Sequence, residues 1–209
     1  MIEASILNLN DFLDRIGNHW SEIFGVLTAL LYIWLEIKQK PAMWVVGFIS
    51  SLVFVFVYFQ AKIYGYTALN VYYVAVSVYG WYCWRFARQS DSETAGLPVS
   101  RIRMSLALVL TVTSAVLFIG IGYTLYYTDS PFPFLDALGT SLSIVATWML
   151  ARKILEHWLL WIFINFFSAA LCFYRGLYPT AGLFVVYGVM SVVGWRKWRQ
   201  SFKIIHQIQ

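Results

Sequence analysis

A chain of 209 residues that is 60% hydrophobic and 12% charged falls outside the range of soluble domains, which run at about half apolar and a quarter charged. Its apolar residues are gathered into runs near the roughly 20 needed to cross hydrocarbon, so the expected class is an all-α polytopic membrane protein. A β-barrel would alternate polar and apolar residues over segments of about ten, and no such alternation occurs. The net charge of +5 does not mark a nucleic-acid binder, because the basic residues sit at the ends of the apolar runs, where they determine topology.

Residues 1–20 open acidic, with Glu3, Asp11 and Asp14, and lack the basic start of a secretory signal. Ile6, Leu7, Leu9, Phe12, Leu13 and Ile16 suit a short amphipathic helix on the membrane surface. Seven spans are predicted: Ser21–Ile37, Ala42–Phe59, Thr67–Trp84, Arg103–Tyr123, Leu135–Leu150, His157–Phe173 and Thr180–Trp195. With the N-terminus outside, 12 of the 15 Lys and Arg residues fall in the inward segments, which predicts an external N-terminus and a cytoplasmic C-terminus. The loop YYTDSPFPF between spans 4 and 5 carries an acid and no base, as an external loop should. On this topology Cys83 and Cys172 lie toward opposite ends of the bilayer, so no disulfide is expected. His19, His157 and His206 fall at segment ends, none near both thiols, so no metal site is expected.

The most informative pattern is a repeat at an offset of 114 residues. Trp34, Trp44, Trp81 and Trp84 meet Trp148, Trp158, Trp195 and Trp198. Tryptophan makes up 10 of 209 residues, so each match has a chance of about one in twenty, and four of four is not coincidence. Phe59/Phe173, Tyr64/Tyr178, Tyr73/Tyr187, Ser77/Ser191, Gly80/Gly194 and Arg85/Arg199 follow without a gap. The offset carries spans 1–3 onto spans 5–7 and leaves span 4 as a connector. Two odd-numbered units joined by one extra span run in the same direction, a 3+1+3 parallel plan found in transporters. The expected divisions are an N-terminal segment 1–20, repeat 1 at 21–86, a linker with the connector at 87–134, repeat 2 at 135–198 and a tail at 199–209.

Where the halves differ, a one-sided site is expected. Trp158, Trp161 and Asn165 share one helical face, and their counterparts are Trp44, Gly47 and Ser51. An amide deep in a span is costly unless something pairs with it. A flat-ringed polyol would suit this contrast: stacking on Trp161, with cation–π attraction if charged, and hydrogen bonds to Asn165 and Ser51. The bland alternative is that Gly47 and Ser51 permit close helix packing and that Asn165 joins helices. Gln60 and Asn70 bracket the external turn FQAKIYGYTALN, and their counterparts in the second half are Tyr174 and Phe184, so polarity again appears once. Tyr73/Tyr187 and Ser77/Ser191 occur in both halves and are read first as packing residues.

No span holds a lysine for retinal, which counts against a seven-helix rhodopsin, and no span holds an HExxH, an aspartate pair or a serine–lysine pair, which counts against intramembrane hydrolysis, so an enzyme is not expected. Glu22 and Glu36 flank the ends of span 1, shallower than a proton-coupling carboxylate normally lies. With no nucleotide-binding loop either, the remaining reading is a facilitator that needs no cofactor. A seven-span sensor stays open as an alternative.

WVVGFISSLVFVFVYFQAKIYGYTALNVYYVAVSVYGWYCW and HWLLWIFINFFSAALCFYRGLYPTAGLFVVYGVMSVVGWRKW resemble the two repeats of the Pnu family of bacterial vitamin transporters. The likeness runs from about Trp20 to Trp198 and rests most on the WxxWxxxN stretch of span 6 and the FQAxxYG stretch after span 2. It implies a SWEET-like 3+1+3 fold, an inner-membrane homotrimer, and facilitated uptake of nicotinamide riboside made one-way by cytoplasmic phosphorylation. It also implies binding by Trp158, Trp161 and Asn165, with Gln60, Asn70, Ser51 and Tyr73 as further contacts. Riboflavin, thiamine or a sugar are the alternative solutes.

Overall fold

The computed structural model describes residue 20 and residues 23–86, 97–128 and 131–208. The amphipathic segment expected before Ile16 lies outside the described residues. Seven helices occur among those described: α1 (Ile23–Ile37), α2 (Ala42–Gln60), α3 (Tyr64–Phe86), α4 (Met104–Tyr126), α5 (Pro133–Ala151), α6 (His157–Tyr174) and α7 (Tyr178–Ile208). Each overlaps an expected span. Five of them (α2, α4, α5, α6 and the first 27 residues of α7) are long and apolar enough to cross a membrane. The described part of α1 is shorter, and α3 is diluted by six tyrosines. The chain is a multi-pass membrane protein. Cys83 and Cys172 are free thiols.

The helix ends explain why the segments stop where they do. Gln39, Lys62, Lys153 and Gly176 have positive φ, at 54°, 60°, 50° and 76°. At each, two backbone bonds close back onto the preceding turn: Lys62 N–H to Phe59 O (3.1 Å) with Ile63 N–H to Tyr58 O (2.9 Å), and Gly176 N–H to Phe173 O (3.0 Å) with Leu177 N–H to Cys172 O (2.9 Å). This left-handed closure satisfies the carbonyls that a helix terminus leaves open. The same pair of bonds follows α1 at Gln39 and Lys40 and α5 at Lys153 and Ile154. All four endings therefore recur at the 114-residue offset.

Side-chain packing recurs at that offset too. The Trp44 ring lies where a β-carbon on Gly80 would stand, and the Trp158 ring where one on Gly194 would stand. Trp44 meets Trp84 edge-on at 5.7 Å, and Trp158 meets Trp198 at 5.8 Å. The Trp84 and Trp198 rings then meet each other at 5.9 Å. Two bonds cross reciprocally: Trp84 Nε1–H donates to Leu150 O (3.3 Å) and Trp198 Nε1–H to Glu36 O (3.1 Å). Leu150 and Glu36 are themselves 114 residues apart.

α2 packs on α3, α6 on α7, and α5 on α3, α4 and α6. α4 keeps an almost wholly exposed apolar surface, with Leu108, Val112, Val116 and Ile119 each more than three-fifths accessible, as suits a helix bathed in lipid. Its approach is pinned at the α5–α6 turn, where Ser100 exchanges backbone bonds with Lys153 and Leu155 and where Glu156 accepts from Ile102 N–H (2.9 Å) and Arg101 Nε (3.3 Å). α7 runs well past its expected end at Trp195. Trp198, one turn on, is fully buried, so tertiary packing extends the helix beyond its hydropathic stretch.

Adding a methyl group where a ring already lies overpacks the core. Gly80→Ala and Gly194→Ala should each cost about 1–3 kcal/mol. Gly182→Ala, which meets nothing within 4 Å, should cost nothing and gain up to about 1 kcal/mol of helix propensity. Thermal unfolding of the three purified variants in detergent checks the contrast.

Candidate functional site

The wall of one cavity is built by α1, α2, α3, α5, α6 and α7, without α4, around a volume of about 310 Å³. Its wall is mostly apolar and aromatic, with hydroxyls from Thr28, Ser50, Ser51, Ser77, Thr147 and Ser191, one amide each from Asn70 and Asn165, and one carboxyl group, Glu36.

Trp158, Trp161, Asn165, Ser51, Asn70 and Tyr73, all expected at a site, lie on this wall. Gln60 does not: it is exposed at the end of α2. Asn70 turns its Nδ2 back onto Tyr66 O at 2.9 Å, which leaves its Oδ1 as the group free to act.

Asn165 is buried and bonded on one side only. Ser191 Oγ–H donates to Tyr187 O (2.8 Å), so Ser191 Oγ must accept from Asn165 Nδ2 (3.2 Å). A hydroxyl has one proton, and that fixes which way the amide points. Asn165 Oδ1 then has no hydrogen-bond partner among the described residues. Asn165 thus both joins α6 to α7 and leaves an acceptor on the cavity wall. Ser191, read from sequence as packing, is what orients it.

The first half does not simply leave space opposite Trp161. A β-carbon on Gly47 would stand 2.8 Å from the Tyr32 ring and 3.3 Å from Ser77 Oγ, so Tyr32, from α1, occupies what Gly47 vacates. The position equivalent to Tyr32 is Ala146, fully buried. Each half carries one ring at this level, on a different helix.

The end of the cavity toward the α1–α2 and α5–α6 turns holds a pair that the sequence reading passed over. His157 Nε2 lies 3.1 Å from Glu36 Oε1, with both side chains at most one-twentieth exposed. His157 Nδ1 lies 2.7 Å from Ile154 O. A carbonyl only accepts, so Nδ1 carries a hydrogen, and one proton is shared between Nε2 and Oε1. His157 sits between the Trp158 and Trp198 rings, at 4.8 and 4.9 Å. In sequence, Glu36 and His157 read as residues at segment ends. Their repeat counterparts, Leu150 and Met43, carried the missed signal: polarity in one half only, the test that singled out Gln60 and Asn70.

Beyond this pair, in the α5–α6 turn, Lys153 is buried with its Nζ 4.5 Å over the Trp84 ring. Burial pushes its ammonium down to about 8, and the ring face offsets part of that penalty.

A bundle of membrane-crossing helices around a central, largely apolar cavity with a few oriented polar groups has the build of a solute carrier. Comparison with known proteins sharpens this. The chain belongs to the nicotinamide mononucleotide transporter family, whose model matches residues 19–200. It is 27% identical to the nicotinamide riboside transporter PnuC of Escherichia coli strain K12, over 87% of this chain and 86% of that one. It is 29% identical to the riboflavin/roseoflavin transporter RibM of Streptomyces davaonensis, over 86% and 84%. The crystal structure of the vitamin B3 transporter PnuC aligns with 97% of this chain and 87% of its own at 25% identity, with a TM-score of 0.69. This is a PnuC-like member of the Pnu family.

Lys153 yields a pH prediction. Its folded-state value lies below the 10.5 of a free lysine, so the folded protein carries the full penalty below about pH 8 and loses it as pH rises through about 10.5. Lys153→Met has no such titration. Its stability advantage over the parent chain should therefore shrink between pH 7 and pH 10, by at most about 3 kcal/mol. Paired melting curves at the two pH values measure it.

Proposed function

We propose that the chain carries nicotinamide riboside across the bacterial inner membrane by facilitated diffusion, with cytoplasmic phosphorylation of the solute making uptake one-way. The observation that carries this reading is Asn165, whose amide is oriented by Ser191 so that Oδ1 stays open on the cavity wall beside Trp161. A flat pyridinium suits the tryptophan face, and ribose hydroxyls suit the open acceptor and the hydroxyls of Ser51 and Ser77. The relatives named as nicotinamide riboside transporters favour this solute. In this reading Trp158 and Trp161 provide the aromatic wall, Asn165, Asn70 and Ser51 the polar contacts, and Tyr73 the opposite side. Gln60 acts at the external mouth.

Two parallel three-helix units joined by α4, a 3+1+3 arrangement of the SWEET type, are supported by the helix endings and ring contacts that recur at 114 residues. The bias of basic residues supports an external N-terminus and a cytoplasmic C-terminus. The broad apolar surface of α4 suits contacts within a homotrimer as well as lipid. A second reading, riboflavin transport, is favoured by the likeness to RibM, but a tricyclic flavin asks more of a cavity of about 310 Å³ than a single pyridinium does.

Calorimetric titration of the purified chain with nicotinamide riboside, riboflavin, thiamine and glucose separates these readings. Nicotinamide riboside should bind and exchange across proteoliposomes without ATP or an ion gradient. Tighter binding of another solute reassigns the cargo, and absence of exchange with intact binding favours a sensor. Asn165→Leu should lower nicotinamide riboside affinity at least about tenfold while keeping a cooperative melt. Unchanged affinity would remove Asn165 from the site.

A further inference from the structure

Among the described residues, Glu36 is the one carboxyl group, and the one ionisable acid or base besides tyrosine, on the cavity wall. We propose that Glu36 determines charge specificity: it presents a carboxylate that selects cationic solutes, with His157 held behind it as a buried counter-cation. The inference rests on the cavity being the binding site, as argued above.

Three observations carry it. The first concerns which partner holds the shared proton. His157 is fully buried, donates through Nδ1 to Ile154 O, and is enclosed by the Trp158 and Trp198 rings. In the proposed pair the shared proton sits on Nε2, where an imidazolium donates at both nitrogens, to Ile154 O and to Oε1, and Glu36 is its carboxylate partner. The second concerns the other carboxyl oxygen. Oε1 faces His157, whereas Oε2 has no hydrogen-bond partner among the described residues. The third is rigidity. Trp198 Nε1–H grips the Glu36 carbonyl, so the residue is held by its backbone at one end and by His157 at the other.

The arrangement answers an energetic difficulty. A lone carboxylate in an apolar cavity would cost several kcal/mol, and a lone tryptophan face discriminates a cation from a neutral ring only weakly. Pairing with a counter-cation on the side away from the cavity keeps the empty site neutral overall. A cation that enters meets the nearer, negative end of the pair. The solute class this fits is a flat organic cation, such as an N-substituted pyridinium nucleoside. The neutral dihydropyridine of the same shape should not gain from it.

That difference is the test. The purified full-length chain and its Glu36→Gln variant are titrated with nicotinamide riboside and with its neutral dihydro form. Glutamine keeps the size and can donate to a neutral His157 Nε2, so the buried bond survives without the charge. Affinity for the cation should fall about tenfold to a hundredfold, with that for the dihydro form held within about twofold. Equal shifts for both solutes, or no shift for either, overturn the charge role and leave the cavity reading standing. A parent chain that binds neither solute overturns the cavity reading, and this inference with it. If Glu36→Gln does not fold, the parent chain decides: it should bind the cation at least about tenfold more tightly than the dihydro form, and equal affinities for the two overturn the proposal.

Discussion

Two indole N–H groups hold this molecule in register. Trp84 reaches the carbonyl of Leu150 and Trp198 reaches that of Glu36, so each half ends a helix of the other. Both carbonyls stand in a last helical turn, where each also accepts from the residue three further on, Lys153 and Gln39. A terminus that would otherwise need water is thereby completed from across the interface. The rings that make these bonds also pack on Trp44 and Trp158, which in turn lie flat on Gly80 and Gly194. The cavity depends on this lattice. Asn165 and Trp161 ride on α6, whose first turn carries Trp158, and Glu36 is fixed by the bond to Trp198.

The helices were legible because hydrocarbon leaves few options: a backbone in lipid must satisfy its own polar groups, so apolar runs become helices. The expected starts and ends lie within three residues of those observed for α2, α3, α4, α5 and α6. α7 departs furthest, because its last turns are held by the burial of Trp198 rather than by lipid, and hydropathy is blind to that. The left-handed endings were not legible either. Three of the four fall on Gln39, Lys62 and Lys153, residues that carry none of the signature a glycine gives at Gly176.

The site was legible where chemistry and repeat position pointed the same way. Asn165 stood out as an amide in an apolar run, and its cavity placement follows from the face it shares with Trp161. Gln60 met the asymmetry test but lies at a helix end facing outward, since the test finds difference and not direction. Glu36 and His157 were missed because each looks like an interfacial residue when read within its own segment. Only the crossing of α1 against α6 and α7 turns two segment ends into one buried pair. Ser191 was missed in a different sense: its presence in both halves suggested packing, and its hydroxyl does pack, yet it also decides which way the amide of Asn165 faces.

The exchange of rings between the halves has a consequence for how the cavity came to have a handedness. A bundle built from two identical copies of α1–α3 would present Tyr32 twice and no Trp161. Two copies of α5–α7 would present Trp161 twice and no Tyr32. Either would give a pocket with two equivalent poses for any solute. Tyr32 with Gly47 on one side, and Ala146 with Trp161 on the other, conserve aromatic bulk while moving it from the first helix to the second. A molecule with distinct ends would therefore meet a tyrosine from the first helix and a tryptophan from the sixth, two surfaces that are not interchangeable.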